Sequence, residues 1–289
     1  MLVTPDLWPP FLLWTLAALQ GLIIGSFLNV LILRLPQKMY AEQTTIGDED
    51  APMPDYRWFG LHYLITPSSQ CPQCQQDIRA WQNIPVISWL LLRARCANCQ
   101  HPISIRYPLI ELLSGLLTFA LVWHFGASMS TLYLCILVWG LIALTVIDID
   151  EQLLPDQLTL PLLWLGLLVN LSATFTTLEN AIIGAVVAYL SLWFIFHLFY
   201  LVTGKEGMGY GDFKLFAVFG AWFGWNLLPQ ILFISSLVGI LIGGTLILVH
   251  KQGRQTPIPF GPYLAIAGLI AIFWGHEINQ FYLAFTDFR

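Results

Sequence analysis

Long apolar stretches alternate with short polar connections along most of this 289-residue chain. Each stretch approaches the roughly 20 residues with which a helix crosses about 30 Å of hydrocarbon. The pattern predicts an all-α polytopic membrane protein with about eight transmembrane helices. No basic segment precedes the first stretch, and no small-residue cleavage site follows it, so we interpret it as a retained span. With bounds loose by several residues, the spans are 11–33, 108–127, 130–147, 158–175, 180–203, 213–228, 231–250 and 261–283.

Composition and charge agree with a membrane protein. Hydrophobic residues make up 57% of the chain and charged residues 10%, whereas a soluble domain carries about 25% charged residues. Of the twelve Lys and Arg residues, eleven lie in or beside three connections that eight spans put on one side of the membrane. The positive-inside rule makes that side cytoplasmic. Both termini are then expected on the opposite side.

Residues 35–107 form a polar segment with four cysteines in a C-x2-C-x21-C-x2-C arrangement, which are Cys71, Cys74, Cys96 and Cys99. Each pair presents two thiolates from one tight turn, and two such turns can close a tetrahedral shell around zinc. Disulfides are the alternative, but a reducing cytoplasm disfavours them. We therefore predict a structural zinc site. The expected domains are a first transmembrane helix (1–34), a cytoplasmic zinc module (35–107) and a seven-helix membrane domain (108–289).

An acidic stretch without basic residues precedes the cysteines, with Glu42, Asp48, Glu49, Asp50 and Asp55. A solvated loop is the simpler interpretation. The alternative is a patch that attracts a basic segment of a substrate.

Two acidic segments emerge on the predicted cytoplasmic side. "TVIDIDEQLLPDQLTL" contains Asp148, and "TGKEGMGYGDFKL" contains Glu206 and Asp212. Two carboxylates at hydrogen-bonding distance cannot both ionise, so one stays protonated while its partner acts as a base. Such a pair can activate water for attack on a peptide carbonyl. The alternative is that the acids simply lie at the membrane interface, and we accept it for Asp150, Glu151 and Asp156.

Three glycines precede Asp212, at Gly207, Gly209 and Gly211. Their permissive φ would allow a sharp turn, and another backbone could approach closely. Substrate could then reach Asp212. Helix packing is an equally good explanation, because glycine repeats in membrane helices commonly serve it.

These residues resemble a known family. "GMGYGDFK" is similar to the G-x-G-D motif of membrane-embedded aspartic peptidases, and "DIDEQLLPD" resembles the other half-site of the type IV prepilin peptidases. In that branch the first catalytic aspartate lies seven residues before a proline, and counting back from Pro155 gives Asp148, not Asp150. "GSFLNVLILRLP", the paired C-x2-C module, "RYPLIELLSG" and "TPIPFGPYLA" also resemble family segments, so the likeness covers nearly the whole chain.

The resemblance implies an aspartic endopeptidase with Asp148 and Asp212 as the catalytic dyad. Its substrates would be type IV prepilins and type II secretion pseudopilins, which carry a short basic leader ending in glycine before a membrane-embedded helix. Cleavage would follow that glycine at the cytoplasmic face of a bacterial inner membrane, through activated water and without a covalent intermediate. The termini would then be periplasmic. Nucleic acid is not among the expected partners.

The longer, bifunctional members of this family also methylate the new N-terminal amine with S-adenosylmethionine. The sequence has no soluble-methyltransferase fingerprint, so this activity rests on the resemblance alone. Glu111, early in the second span, is a candidate for the methyl-transfer site, because an acid within a membrane span suggests function. Ion pairing or helix packing explains it equally well. "PIPFGPYLA" could form an edge for a substrate strand, or simply begin a helix.

Two other classes of protein remain as alternatives. In a transporter, Asp148 and Asp212 would form a proton relay, since acids within membranes often mark such pathways. The absence of an internal sequence repeat and the clustering of the acids on one face argue against a transporter. The other alternative is an assembly scaffold whose zinc module docks a partner.

Overall fold

The computed structural model of the protein describes residues 9–46, 62–65, 68–205, 207–250 and 259–286. These residues form helices joined by turns, and they contain two isolated bridges but no β-strand. The all-α prediction is therefore confirmed. The α-helices are α1 (Pro10–Ile46), α2 (His62–Ile65), α3 (Ile87–Leu91), α4 (Arg106–Phe125), α5 (Met129–Glu151), α6 (Asp156–Val169), α7 (Leu178–Thr203), α8 (Tyr210–Phe223), α9 (Leu228–His250) and α10 (Gly261–Thr286).

The chain forms two compact units, Met1–Ala143 and Leu144–Arg289, with the boundary inside α5. The described part of the first unit contains α1 to α4 and the start of α5. The second unit contains the end of α5 and α6 to α10. Parts of the predicted features lie outside the described residues, namely Asp48, Glu49, Asp50, Asp55, Glu206 and Pro257.

Six helices among the described residues are long and apolar enough to cross a membrane: α1, α4, α5, α7, α9 and α10. The other two predicted spans, 158–175 and 213–228, correspond to α6 and α8, which have 14 residues each. A helix of that length covers about 21 Å, less than the roughly 30 Å of a hydrocarbon core. The chain is thus a multi-pass membrane protein, but the count of eight spans is not confirmed.

In the first unit, α1 and α4 run antiparallel in close contact. A Cβ atom at Gly21 would lie 2.6 Å from Thr118 Oγ1, and one at Gly25 would lie 2.6 Å from Cα of Glu111. The two glycines are one helical turn apart and therefore share a face. Without side chains there, the two helix backbones can approach closely, as small residues allow in membranes.

In the second unit, α6 and α8 run parallel. At their starts, Lys214 Nζ of α8 donates to Asp156 Oδ1 of α6 at 2.6 Å. At their ends, Asn170 Nδ2 donates to the carbonyl oxygens of Ala221 and Trp222 at 2.9 Å each. Contacts at both ends of the pair fix its direction.

The helix α7 runs antiparallel to α8. Gly184, early in α7, meets Gly220, late in α8, with backbone against backbone. Further along α7, the rings of Tyr189 and Phe196 lie 5.9 and 5.7 Å from the ring of Phe213, early in α8. Since α8 is covered by its neighbours, its residues from Phe213 to Trp222 are almost all buried.

The helix α10 runs antiparallel to α9 and starts beside the end of α5. A Cβ atom at Gly239, midway along α9, would lie 3.1 Å from Tyr263 Cδ2 in the first turn of α10. Gly275, late in α10, lies against Leu227, immediately before α9. The backbone N–H of Gly261 in turn contacts Asp148 of α5.

The helices of the second unit therefore alternate in direction. The ends of α5 and α7 and the starts of α6, α8 and α10 lie at one end of the unit, which we call the dyad end because Asp148 and Asp212 both lie there.

The hydropathy pattern did not predict how short α6 and α8 are, and the reason is physical. Each is followed by a short 3₁₀ helix (Asn170–Ser172 and Trp225–Leu227), and hydropathy averaged over a window does not resolve where an α-helix gives way to a 3₁₀ helix.

We predict that Asn170→Ala destabilises the second unit. Asn170 is fully buried, and its side chain also accepts the backbone N–H groups of Phe175 and Thr176 at 3.0 and 3.1 Å. The substitution leaves two buried carbonyl groups and two partly buried N–H groups without their partner, at a cost on the order of 2 kcal/mol or more. Thermal unfolding in detergent measures it. Asn226→Ala, at an exposed site, is the matched control, and equal melting temperatures for both variants would contradict the prediction.

Candidate active site and cysteine cluster

Asp148 and Asp212 lie together at the dyad end. Asp148 is in the last turn of α5, and Asp212 is in the first turn of α8. Their exposed fractions are only 5% and 7%, and the carboxylate of Asp148 is near enough to act electrostatically on Asp212. The structure therefore brings together two carboxylates that are 64 positions apart in the sequence, and keeps both largely away from solvent.

Asp148 is held by a backbone group from a third helix. The N–H of Gly261, the first residue of α10, donates to Asp148 Oδ2 at 2.9 Å. Burying a charged or polar carboxyl group is costly unless a hydrogen bond compensates it, and this donor supplies one. The sequence singled out the segment around Gly261 but gave no sign that it meets Asp148.

Asp212 has an oxygen without a partner. Within the described part of the chain, Asp212 Oδ1 is buried and makes no hydrogen bond. Buried polar atoms are nearly always satisfied by protein or water, so this unpaired oxygen is a candidate position for a bound water or ligand. An oxygen in this position can accept a hydrogen bond from a reacting water or, when it is protonated, donate one to the oxygen of a substrate carbonyl.

Leu154 lies close to both Gly211 at the start of α8 and Gly261 at the start of α10. A Cβ atom at Gly211 would lie 2.7 Å from Leu154 Cβ, and one at Gly261 would lie 3.3 Å from Leu154 Cδ2. Leu154 is itself buried and thus separates the start of α8 from the start of α10. The apolar side chain sets the spacing of the elements that carry the two carboxylates. Sequence reasoning missed it, because a leucine near a membrane span carries no signal of its own.

The glycines before Asp212 leave room for neighbouring side chains, and they do not adopt a backbone conformation that only glycine favours. Positive φ occurs at Gly204 (67°), which ends α7, and not at Gly207, Gly209 or Gly211. A Cβ atom at Gly207 would lie 2.9 Å from the ring of Phe199. The expected sharp turn therefore lies a few residues earlier, and side chains, not another backbone, approach Gly207 and Gly211.

Other acids near the dyad have different surroundings. Asp150 and Glu151 are exposed at the end of α5. Asp156 forms the ion pair with Lys214, with both side chains partly exposed (50% and 28%). An exposed ion pair contributes about 1 kcal/mol or less, so its main effect is to align the starts of α6 and α8.

The four cysteines form one cluster between α1 and α4. Their sulfur atoms all lie within 4.8 Å of one another, and the Sγ atoms of Cys71 and Cys99 are 3.7 Å apart. A zinc ion about 2.3 Å from each of four sulfurs would hold them about 3.8 Å apart. The predicted tetracysteine arrangement is therefore present, and its geometry suits a tetrahedral metal ion.

The cluster is built from two equivalent turns. In the first, Gln75 N donates to Cys71 O, and Cys71 N donates to Gln76 O; in the second, Gln100 N donates to Cys96 O, and Cys96 N to His101 O. The residue after each C-x2-C pair, Gln75 or Gln100, has positive φ, at 55° and 60°. The repeated conformation presents two sulfurs from each turn to a common centre.

At two of the four sulfurs, hydrogen bonds favour the thiolate form that binds metal, whereas burial and the neighbouring thiols raise the pKa of Cys99. The backbone N–H groups of Cys99 and Asn98 lower the pKa of the Cys96 thiol to about 6. The backbone N–H of Gln76 and the side chain of Asn98 lower the pKa of Cys74. Such donors to the ligand atoms commonly orient and tune a metal centre.

Glu111 is buried in the first unit, with an exposed fraction of 8%. Its Oε2 accepts the backbone N–H of Val86 at 2.7 Å. Val86 has a φ of 59°, a conformation that costs a β-branched residue on the order of 1–3 kcal/mol and that often occurs at functional sites. The carboxylate of Glu111 in α4 thus holds a strained turn that lies, in the sequence, between the two cysteine pairs.

The comparisons with known proteins agree over most of the chain. Residues 19–125 match the bacterial peptidase A24 N-terminal domain, and residues 135–244 match the type IV leader peptidase family. Proteins named prepilin leader peptidase/N-methyltransferase are similar to the chain. That of Stutzerimonas stutzeri is 52% identical over 93% of each chain, that of Pseudomonas aeruginosa 49% over 94% of this chain and 93% of its own, and that of Neisseria gonorrhoeae 49% over 88% of each. No solved structure gives a significant match.

Proposed function

The chain belongs to the type IV leader peptidase family, and from this premise we propose that it cleaves the leader peptides of prepilins and methylates the new N-terminal amine. Relatives about 50% identical along most of their length carry both activities in their names. The observation that carries the peptidase half is the buried pair Asp148 and Asp212 at the dyad end. Pseudopilins of type II secretion systems belong to the same proposed substrate class.

Asp148 and Asp212 act on a water molecule bound between them. One carboxylate accepts a proton from the water as its oxygen attacks the scissile carbonyl carbon, and the protonated partner donates a hydrogen bond to the carbonyl oxygen. The tetrahedral species then collapses, the C–N bond breaks, and the amine leaves with a proton from the dyad. Asp212 Oδ1 supports this role, because it is a buried acceptor without a protein partner.

We predict that Asp148→Asn and Asp212→Asn each lower the rate of leader cleavage by about 10³-fold, since each removes a group that accepts or donates the transferred proton. Co-expression with a prepilin, scored by the mobility shift of the product, measures cleavage. Asp150→Asn, two residues from Asp148 but exposed, is the matched control and should cleave normally. Cleavage by both dyad variants would refute the aspartic mechanism and favour a scaffold or a transporter.

Cys71, Cys74, Cys96 and Cys99 would hold one structural zinc ion. Four thiolates around a tetrahedral ion leave no open position for water, so the ion would stabilise the module and not take part in hydrolysis. A small polar segment gains much of its folding free energy from such an ion. Residues 35–107 would accordingly work as a separate cytoplasmic module between the first span and the membrane domain 108–289.

Metal analysis of the purified protein should find about one equivalent of zinc per chain, as one tetracysteine site requires. Cys71→Ser and Cys96→Ser, one from each turn, should each reduce it strongly. Cys135→Ala is the control, because Cys135 is buried within α5 and is not one of the four clustered cysteines. Full zinc occupancy in both serine variants would contradict the assignment.

The methyl-transfer site would include Glu111. S-adenosylmethionine, when bound, supplies the methyl group, and its sulfonium carries a positive charge that suits a carboxylate. Glu111 fits such a group as a buried acid in the first unit, beside the strained turn at Val86. The glutamate would orient the positively charged ligand, while the target is the amine that cleavage exposes.

We predict that Glu111→Gln weakens binding of S-adenosylmethionine by about tenfold or more, because it removes a charge-assisted contact. Equilibrium dialysis with labelled S-adenosylmethionine measures the binding directly, and cleavage should persist. Glu179→Gln, exposed at the start of α7, is the matched control. Unchanged binding together with a lower melting temperature would instead make Glu111 a structural residue of the Val86 turn.

We place the enzyme in the bacterial inner membrane with the dyad end on the cytoplasmic side and both termini in the periplasm. Basic residues support this orientation, since Lys205 and Lys214 flank the dyad end, and positive charge marks the cytoplasmic side. The alternating helices of the second unit keep the ends of α5 and α7 on one side, as the charge pattern requires. A leader in the cytoplasm would meet the dyad there.

A further inference from the structure

We infer that the backbone N–H of Gly261 positions the Asp148 carboxylate for water activation, and that the site therefore requires glycine at the start of α10. The inference rests on the proposed peptidase function. It assigns a working role to the segment "PFGP", which enters the site from a part of the chain 113 residues beyond Asp148.

The hydrogen bond satisfies both partners in a buried place. Gly261 and Asp148 are both buried, and the N···Oδ2 distance is 2.9 Å. The first N–H groups of a helix have no acceptor within the helix. In α10, Tyr263 and Leu264 donate to the carbonyl oxygen of Phe260, Pro262 has no N–H, and the Gly261 N–H is directed to Asp148.

The start of α10 also suits a negative charge. A helix N-terminus carries a partial positive charge equivalent to roughly half an elementary charge, and Asp148 Oδ2 lies directly at it. The first turn of α10 contains no acidic residue that would compete for this position. The hydrogen bond and the helix end thus hold the carboxylate from the same direction.

Glycine is required for reasons of space. A Cβ atom at Gly261 would lie 2.6 Å from Asp148 Oδ2 and 3.3 Å from its Cγ. Contacts below about 3.0 Å force an atom to move, and the carboxylate is the movable partner. The φ of Gly261 is not in the left-handed region, so conformational freedom does not explain the glycine. Any side chain would turn the Asp148 carboxylate away from its donor.

Orientation matters because the two carboxylates must share one water. With Oδ2 held by Gly261, rotation of the carboxylate about its Cβ–Cγ bond is restricted, and its other oxygen is held in one direction. Leu154, in contact distance of both Gly211 and Gly261, keeps the starts of α8 and α10 apart. Gly261 acts through Asp148 and touches neither water nor substrate itself, so it is a positioning residue.

The test uses Gly261→Ala in the full-length enzyme. We expect kcat for leader cleavage to fall by about 10²-fold with KM within about twofold of wild type, because misplacing a reacting group by about 1 Å slows chemistry and not binding. Gly244→Ala in α9 is the matched control, since a Cβ atom there has no atom within 4 Å, and should be unchanged. A kcat within about twofold of wild type, or a loss confined to KM, would overturn the inference.

A second comparison separates positioning from packing. Gly268→Ala lies on the same helix, but its Cβ atom would overlap the ring of Phe219. It should lower the melting temperature and leave kcat of the folded enzyme unchanged, whereas Gly261→Ala should lower kcat far more than the stability lost with the hydrogen bond explains. If both variants lose kcat only in proportion to lost stability, Gly261 has no positioning role. Normal cleavage by Gly261→Ala beside inactive Asp148→Asn overturns this inference alone, and active Asp148→Asn overturns the proposed function.

If Gly261→Ala does not fold, hydrogen exchange measured on variants of Asp148 tests the hydrogen bond to Gly261 without an activity assay. Asp148→Asn keeps an acceptor oxygen for Gly261, and Asp148→Ala removes it. A peptide that contains residues 259–266 should exchange one more backbone amide rapidly in Asp148→Ala than in Asp148→Asn. Equal exchange in the two variants would overturn the inference.

Discussion

The position of Asp212 depends on the pairing of the two short parallel helices, α6 and α8. In a membrane every backbone polar group needs a partner within the protein, and the end of α8 obtains partners from α6. Asn170 donates to two carbonyl oxygens there, and Trp222 Nε1 donates to the carbonyl oxygen of Leu162 at 2.8 Å. Because these bonds fix α8 along its axis, they also fix Asp212 at its other end.

Three neighbouring elements supply the other parts of the site. The end of α5 brings Asp148, Leu154 fills the space beside Gly211, and the start of α10 supplies the N–H of Gly261. A buried carboxylate without donors would be strongly destabilising. The start of α10 supplies Asp148 with a backbone donor, whereas Asp212 Oδ1 has no hydrogen-bond partner among the described residues.

Much of the chemistry could be predicted from the sequence, because it depends on local patterns. The spacing of the cysteines implied two metal-binding turns, and the structure brings the four sulfurs together. Hydropathy located the six long spans for the same reason, since a span is a property of consecutive residues. The assignment of Asp148 and Asp212 as catalytic came from the family resemblance and stays a prediction, although both lie in one buried site.

What could not be predicted depends on tertiary contacts. The lengths of α6 and α8 are decided where Asn170 and Gly224 end the helices, and hydropathy averaged over a window does not locate either point. Gly261 meets Asp148 across 113 positions, and a single sequence contains no trace of that contact. Even the expected turn before Asp212 was displaced, because Gly204 and not a nearer glycine takes the positive φ. The two candidate sites lie in different units: the dyad and Gly261 lie in Leu144–Arg289, whereas the cysteine cluster and Glu111 lie in Met1–Ala143. Asp148 accepts its hydrogen bond from a residue of the second unit, and Glu111 accepts its own from a residue of the first. Changes at Gly261 should therefore affect cleavage and leave the proposed binding of S-adenosylmethionine intact, and changes at Glu111 should do the reverse.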